Sequence, residues 1–145
     1  SGKAEESCRV EEAEEGDVLE KGHVYVAPGG MHMEVVKAHG NTHRIKLDDL
    51  PPIGGLRPCA NIMFDSLAKT DYDEIICIVL TGMGADGTNG ILSLNRTKPI
   101  HVIAQDAQTC VVYGMPRAIA EAGMVDEVVP LTAVAKTIIK NVGVK

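Results

Sequence analysis

The chain has 145 residues, 45% of them apolar, with no Trp, one Phe and six Met, and a formal charge of −6. That length makes one domain or part of one, with a core of aliphatic side chains and Met. The net acidity excludes the clustered Lys and Arg of a nucleic-acid or acidic-membrane footprint. No run approaches the about 18 apolar residues of a membrane span, and no signal-peptide pattern opens the chain.

Residues 1–9 are polar and are expected to fray, and the acidic stretch Cys8–Gly16 reads as a solvated lead into the fold. His23–Ala27 reads as a short strand ended by Pro28-Gly29-Gly30. Met33–Lys37 and Thr42–Leu47 are two more strand-like runs, and His39-Gly40-Asn41 between them suits an antiparallel hairpin at the edge of the fold. After the loop Asp48–Arg57, Pro58 is placed in the first turn of a helix, where a missing N–H costs nothing. Cys59, Ile62, Met63, Ser66 and Leu67 then form one apolar stripe.

Ile75–Leu80 is an unbroken apolar run, β-branched at Ile75, Ile76, Ile78 and Val79. It reads as the central strand of a parallel sheet, buried on both faces. A turn dense in glycine follows (Gly82, Gly84, Gly87, Gly90), and then a helix over Thr88–Arg96. Ile100–Ala104 is a second buried strand, and Cys110–Tyr113 is a short apolar run. Gly114-Met115-Pro116 turns into a helix through Ala122, with Gly123 as its C-cap. Val125–Val129 is an edge-like last strand before Pro130, and Leu131–Val142 is an amphipathic final helix. Strands alternating with helices give an α/β fold with a doubly wound, mostly parallel sheet, flanking helices and a peripheral hairpin.

Open α/β sheets hold their sites at the carboxyl ends of strands. There the turn carries one charged side chain, Asp86. Asp86 is either an N-cap of the following helix or a catalytic carboxylate that orients a histidine. Gly82-Met83-Gly84-Ala85-Asp86-Gly87 also satisfies the dinucleotide pattern, with Asp106 at the expected distance, but an anionic Asp86 would oppose a pyrophosphate at the helix N-terminus. The Met83 N–H, with Gly82 and Gly84 beside it, either faces a developing oxyanion or makes an ordinary turn bond. His32, His39 and His43 lack metal-ligand spacing, and His101 starts a buried strand, so all four read as solvated or structural; no metal or cofactor is expected. Ser66 and Ser93 sit on helices rather than sharp strand-to-helix turns and do not read as nucleophiles. Cys8, Cys59, Cys77 and Cys110 are scattered and read as reduced thiols of a cytoplasmic protein.

Leu80-Thr81-Gly82-Met83-Gly84-Ala85-Asp86-Gly87 resembles a signature of the bacterial chemotaxis receptor methylesterases, as does Ile103–Pro116 (IAQDAQTCVVYGMP). Gly22–Gly29, His32-Met33-Glu34, Pro51-Pro52, Arg57-Pro58 and Val125–Leu131 agree in order, so the resemblance runs from about Val10 to Val142. It implies a cytoplasmic hydrolase of glutamate methyl esters on chemoreceptor helices, in many members also a glutamine deamidase, working through Ser, His and Asp without a cofactor. Asp86 takes the Asp position, and Met83 matches a residue of the oxyanion site. The family's Gly-Ala-Ser-Thr-Gly-Gly-like nucleophile loop and His-Met-Pro-like base segment have no counterpart here, nor does a receiver domain. Cys59-Ala60-Asn61 stands where members often have Ser-Val-Asp. Residues 10–145 are therefore expected to be the C-terminal part of such a catalytic domain, lacking its first strands and inactive alone. Such a part is expected to associate with the rest of the domain, with a receiver domain, or with a second copy. A dinucleotide-binding domain and a non-catalytic receptor-interaction module are the alternatives.

Overall fold

The computed structural model describes residues 8–143; residues 1–7 of the segment expected to fray lie outside them. The chain is α/β, as expected, and forms two compact units, one ending at Asp71 and the other beginning at Tyr72.

In the first unit, β1 (Arg9–Glu12) pairs in parallel with β2 (His23–Val26), Arg9 opposite His23 and Glu12 opposite Val26. The acidic lead is therefore partly strand: charge did not prevent ladder formation, because all four β1 side chains are exposed and solvated. The hairpin of β3 (His32–Lys37) and β4 (His43–Asp48) is antiparallel, with Val35 opposite Ile45. Its connection turns at Gly40, whose φ of 61° suits glycine. Ala13, Val35 and Ile45 form the buried centre, packed by Leu19, Tyr25, Met33, Leu47 and Leu67. The stripe of α1 (Ala60–Leu67) packs on β3, and the Ser66 hydroxyl accepts the Val35 N–H at 2.9 Å. Pro58 lies outside the helix, since the N-cap is Cys59. A proline before the cap marks the helix start equally well, because it removes a donor no helical carbonyl would meet.

In the second unit, β5 (Ile75–Val79), β6 (Ile100–Gln105) and β7 (Glu127–Val129) form a parallel sheet in that order. Between them run α2 (Thr88–Asn95) and α3 (Met115–Glu121), and α4 (Val134–Val142) ends the unit. Among the described residues the strand between two neighbours is β6. Val102 and Ile103, on opposite faces, are both fully buried, and Ile91, Leu94 and Ile119 are as completely enclosed. Among the described residues β5 has a partner on one side only, and Ile76 and Ile78 are only half-buried. An apolar run reports burial propensity, whereas the number of neighbours is set by strand order. Cys110–Tyr113 forms no strand; it contributes one isolated bridge, Tyr113 to Gly82. Cys77 points into the core, where burial pushes its thiol up to about 11 and keeps it protonated.

At the amino-terminal end of β6, His101 Nε2 lies 2.6 Å from Glu127 Oε2, with Asp126 Oδ2 3.8 Å from His101 Nδ1. Glu127 also accepts Lys140 Nζ at 2.9 Å and Asn141 Nδ2 at 2.9 Å, which ties α4 to the sheet. These hydrogen bonds, Lys140 first, then His101 and Asn141, lower the Glu127 carboxyl to about 2. The folded value lies below the unfolded one of about 4.3. The contribution is therefore complete above about pH 4.3 and is lost as pH falls toward 2. Thermal melts from pH 6 to pH 2.5 should show a steep acid loss that Glu127→Gln flattens. A variant with the wild-type acid slope would show that Glu127 does not carry this linkage.

Candidate functional site

The glycine turn begins where β5 ends. Its entry is fixed from two directions. The Thr81 N–H donates to Gln105 Oε1 at 2.8 Å, and Thr81 Oγ1 exchanges hydrogen bonds with the backbone of Val112, donating at 3.1 Å and accepting at 2.9 Å. The next residue is held by backbone alone. The Gly82 N–H donates to the Val112 carbonyl at 2.9 Å, and the Gly82 carbonyl accepts the N–H groups of Gly114 and Met115 at 3.0 and 2.8 Å. The two stretches that drew notice in the sequence, 80–87 and 103–116, are thus stitched together at the carboxyl ends of β5 and β6.

The stitching leaves no room for side chains. A Cβ on Gly114 would lie 2.7 Å from the Gly82 carbonyl oxygen and 2.8 Å from the Gly84 nitrogen. Gly84 and Gly87 take φ of 83° and 98°, in the left-handed region. This backbone presents Asp86 two residues before the first helical residue, Thr88. The N-cap position of α2 falls on Gly87, the residue after Asp86. Asp86 itself is half-buried. The Met83 N–H meets no backbone carbonyl among the described residues, while the Met83 side chain is 86% exposed. A carboxylate beside an uncommitted N–H in a pinned turn can orient a base and receive an oxyanion.

Around the turn several large side chains reach the surface: Leu80, Met83, Val111, Val112 and Tyr113 are all exposed. Asp106 lies elsewhere in role. Its Oδ1 accepts the Thr109 N–H at 2.9 Å and the Thr109 hydroxyl at 2.6 Å, closing its own loop rather than facing a ribose. His32 is buried, with Nε2 3.0 Å from the Pro51 carbonyl, and His43 Nε2 accepts the Asp71 N–H. Ser66 is committed to Val35 and to the Met63 carbonyl. No group of three or more His, Cys, Asp or Glu side chains that could hold a metal occurs among the described residues, and no helix there is long and apolar enough to cross a membrane. A groove of about 550 Å³ between β3 and α1, lined by Glu34–Lys37, Asp65, Ser66 and Lys69, contains no residue of the turn. Sequence reading missed Gln105, Thr109 and Gly114 as parts of the site. The signals present were the polar run Gln105–Thr109 at the end of an apolar strand and the family-like stretch Ile103–Pro116 that contains all three.

The family model for CheB methylesterase matches residues 3–138. A protein-glutamate methylesterase/protein-glutamine glutaminase of Geobacillus kaustophilus is 42% identical over 134 residues, covering 92% of this chain and 38% of that protein. The Clostridium acetobutylicum protein of the same name is 47% identical over 136 residues, covering 94% and 38%. The crystal structure of the Thermotoga maritima CheB methylesterase catalytic domain superposes with a TM-score of 0.82 at 36% identity, covering 89% of this chain and 67% of that domain. The chain spans well under half the length of these curated relatives.

Proposed function

The chain belongs to the CheB methylesterase family, and from that premise we propose that it supplies the carboxylate and the oxyanion turn of a cytoplasmic Ser-His-Asp hydrolase acting on glutamate methyl esters of chemoreceptor helices, with glutamine deamidation as a related activity. The observation that supports the reading is the pinned turn: it sets Asp86 in a backbone fixed to the loop 106–114, beside a Met83 N–H that meets no backbone carbonyl among the described residues. In this reading Asp86 accepts the Nδ1–H of the catalytic histidine, fixes its tautomer and stabilises the imidazolium. Met83 N–H, with Gly82 and Gly84 shaping its approach, receives the oxygen of the tetrahedral intermediate. In this reading the serine and histidine come from outside residues 1–145, because the Gly-Ala-Ser-Thr-Gly-Gly-like loop and the His-Met-Pro-like segment that carry them in the family do not occur in this sequence. Neighbouring strands of the same catalytic domain are the proposed cover for the open edge of β5; a second copy is the other outcome.

Methanol release from methylated receptor tests this. A polypeptide of residues 1–145 alone is expected to release none, because a carboxylate without nucleophile or base performs no acyl transfer. The longest natural polypeptide containing these residues is expected to be active. Activity in residues 1–145 alone would mean that a different apparatus does the chemistry.

A further inference from the structure

We infer that Gln105 is a positioning residue for this hydrolysis: its buried amide locks the turn bearing Asp86 and Met83 to the loop 106–114. The inference rests on the hydrolase reading above. Gln105 ends β6 and is 1% exposed. Burying a primary amide is costly unless its bonds are made, and here they run to two different loops. Its Oε1 accepts the first N–H of the turn, Thr81, at 2.8 Å. Its Nε2 donates to the Thr109 carbonyl at 2.8 Å and to the Thr109 hydroxyl at 3.2 Å. That hydroxyl in turn donates to Asp106 at 2.6 Å and accepts the Leu131 N–H at 3.0 Å. One uncharged side chain thereby sets the height of the turn against the loop that also staples Thr81 and Gly82 through Val112. A leucine of similar size would fill the space and satisfy none of these groups. Gln105 touches neither proposed reacting group; it acts by holding the backbone that carries them.

The test uses the longest natural polypeptide containing these residues. In Gln105→Leu, amide exchange at Thr81 and Gly82 should quicken at least about tenfold, while Val102 and Ile103 keep their protection. Methyl-ester kcat should fall about 10- to 100-fold with KM within about twofold, as misplacement rather than lost binding requires. Gln105→Glu keeps the acceptor for Thr81 but loses the donor to Thr109, so it should fall between the two; it also serves if the leucine variant does not fold. Thr109→Val should lower kcat, and Thr109→Ser should recover most of that loss. Wild-type kcat in Gln105→Leu, or a loss accompanied by faster exchange at Val102 and Ile103, would overturn the role. An inactive wild-type protein would instead overturn the hydrolase reading beneath it, and the exchange data tell the two failures apart.

Discussion

Replacing Asp86 by Asn in the longest natural polypeptide containing these residues should lower kcat about 10⁴-fold and leave KM nearly unchanged, the effect of denying a catalytic histidine its orienting carboxylate. That loss corresponds to about 5 kcal/mol of transition-state stabilisation. The size of the effect separates the two readings of this residue. An N-cap carboxylate is worth about 1 kcal/mol of stability and nothing in the chemical step. Asn keeps an acceptor oxygen and the size of the side chain, so the melting temperature should move by no more than a cap is worth. A kcat loss below about tenfold, or a large drop in stability with intact kcat per folded molecule, would remove Asp86 from the mechanism.

The second large effect belongs to a residue with no side chain. Gly114→Ala should cost at least about 100-fold in kcat, since an ångström of displacement at a reacting group is enough for that. The φ at Gly114 is −84°, which alanine adopts freely, so backbone preference is not the cause. Contact is the cause: the new methyl would lie 2.7 Å from the Gly82 carbonyl oxygen, 2.8 Å from the Gly84 nitrogen and 3.2 Å from the Gly84 oxygen. All three are backbone atoms of the turn, so the turn itself must move. Gly82→Ala provides the contrast. Its methyl meets Met115 Sδ at 2.6 Å, the middle of a flexible thioether that can swing aside. The milder variant should keep more activity than Gly114→Ala. The reverse order, or wild-type kcat in Gly114→Ala, would show that the two loops are not packed as described. Overpacking of this kind should also lower stability by about 1–3 kcal/mol.

Most of the secondary structure was legible in the residues, for local reasons. The hairpin was marked by two β-branched runs around His39-Gly40-Asn41, and α1 by its apolar stripe. Gly123 was read as the cap of α3; the cap is Ala122, and Gly123 is the residue after it, where the chain turns away. The φ of Gly123 is 75°, where a side chain would be strained. The strand at Arg9–Glu12 was not legible, because four exposed side chains leave no apolar alternation to read. The helix starts past Pro58, at Ala60 with Cys59 as its N-cap, because proline marks a boundary to within a residue or two, not a position in it.

What the residues decide by themselves is chemical: which loop is rich in glycine, which carboxylate it carries, and which runs are apolar enough to be strands. What tertiary structure alone decides is neighbourhood. That β6 lies between β5 and β7, that Gln105 under one loop holds Thr81 in another, and that Gly114 is empty so that Gly82 and Gly84 can approach, all depend on contacts 20 or more residues apart. Such contacts follow from strand order and loop closure, and no local pattern of side chains records them.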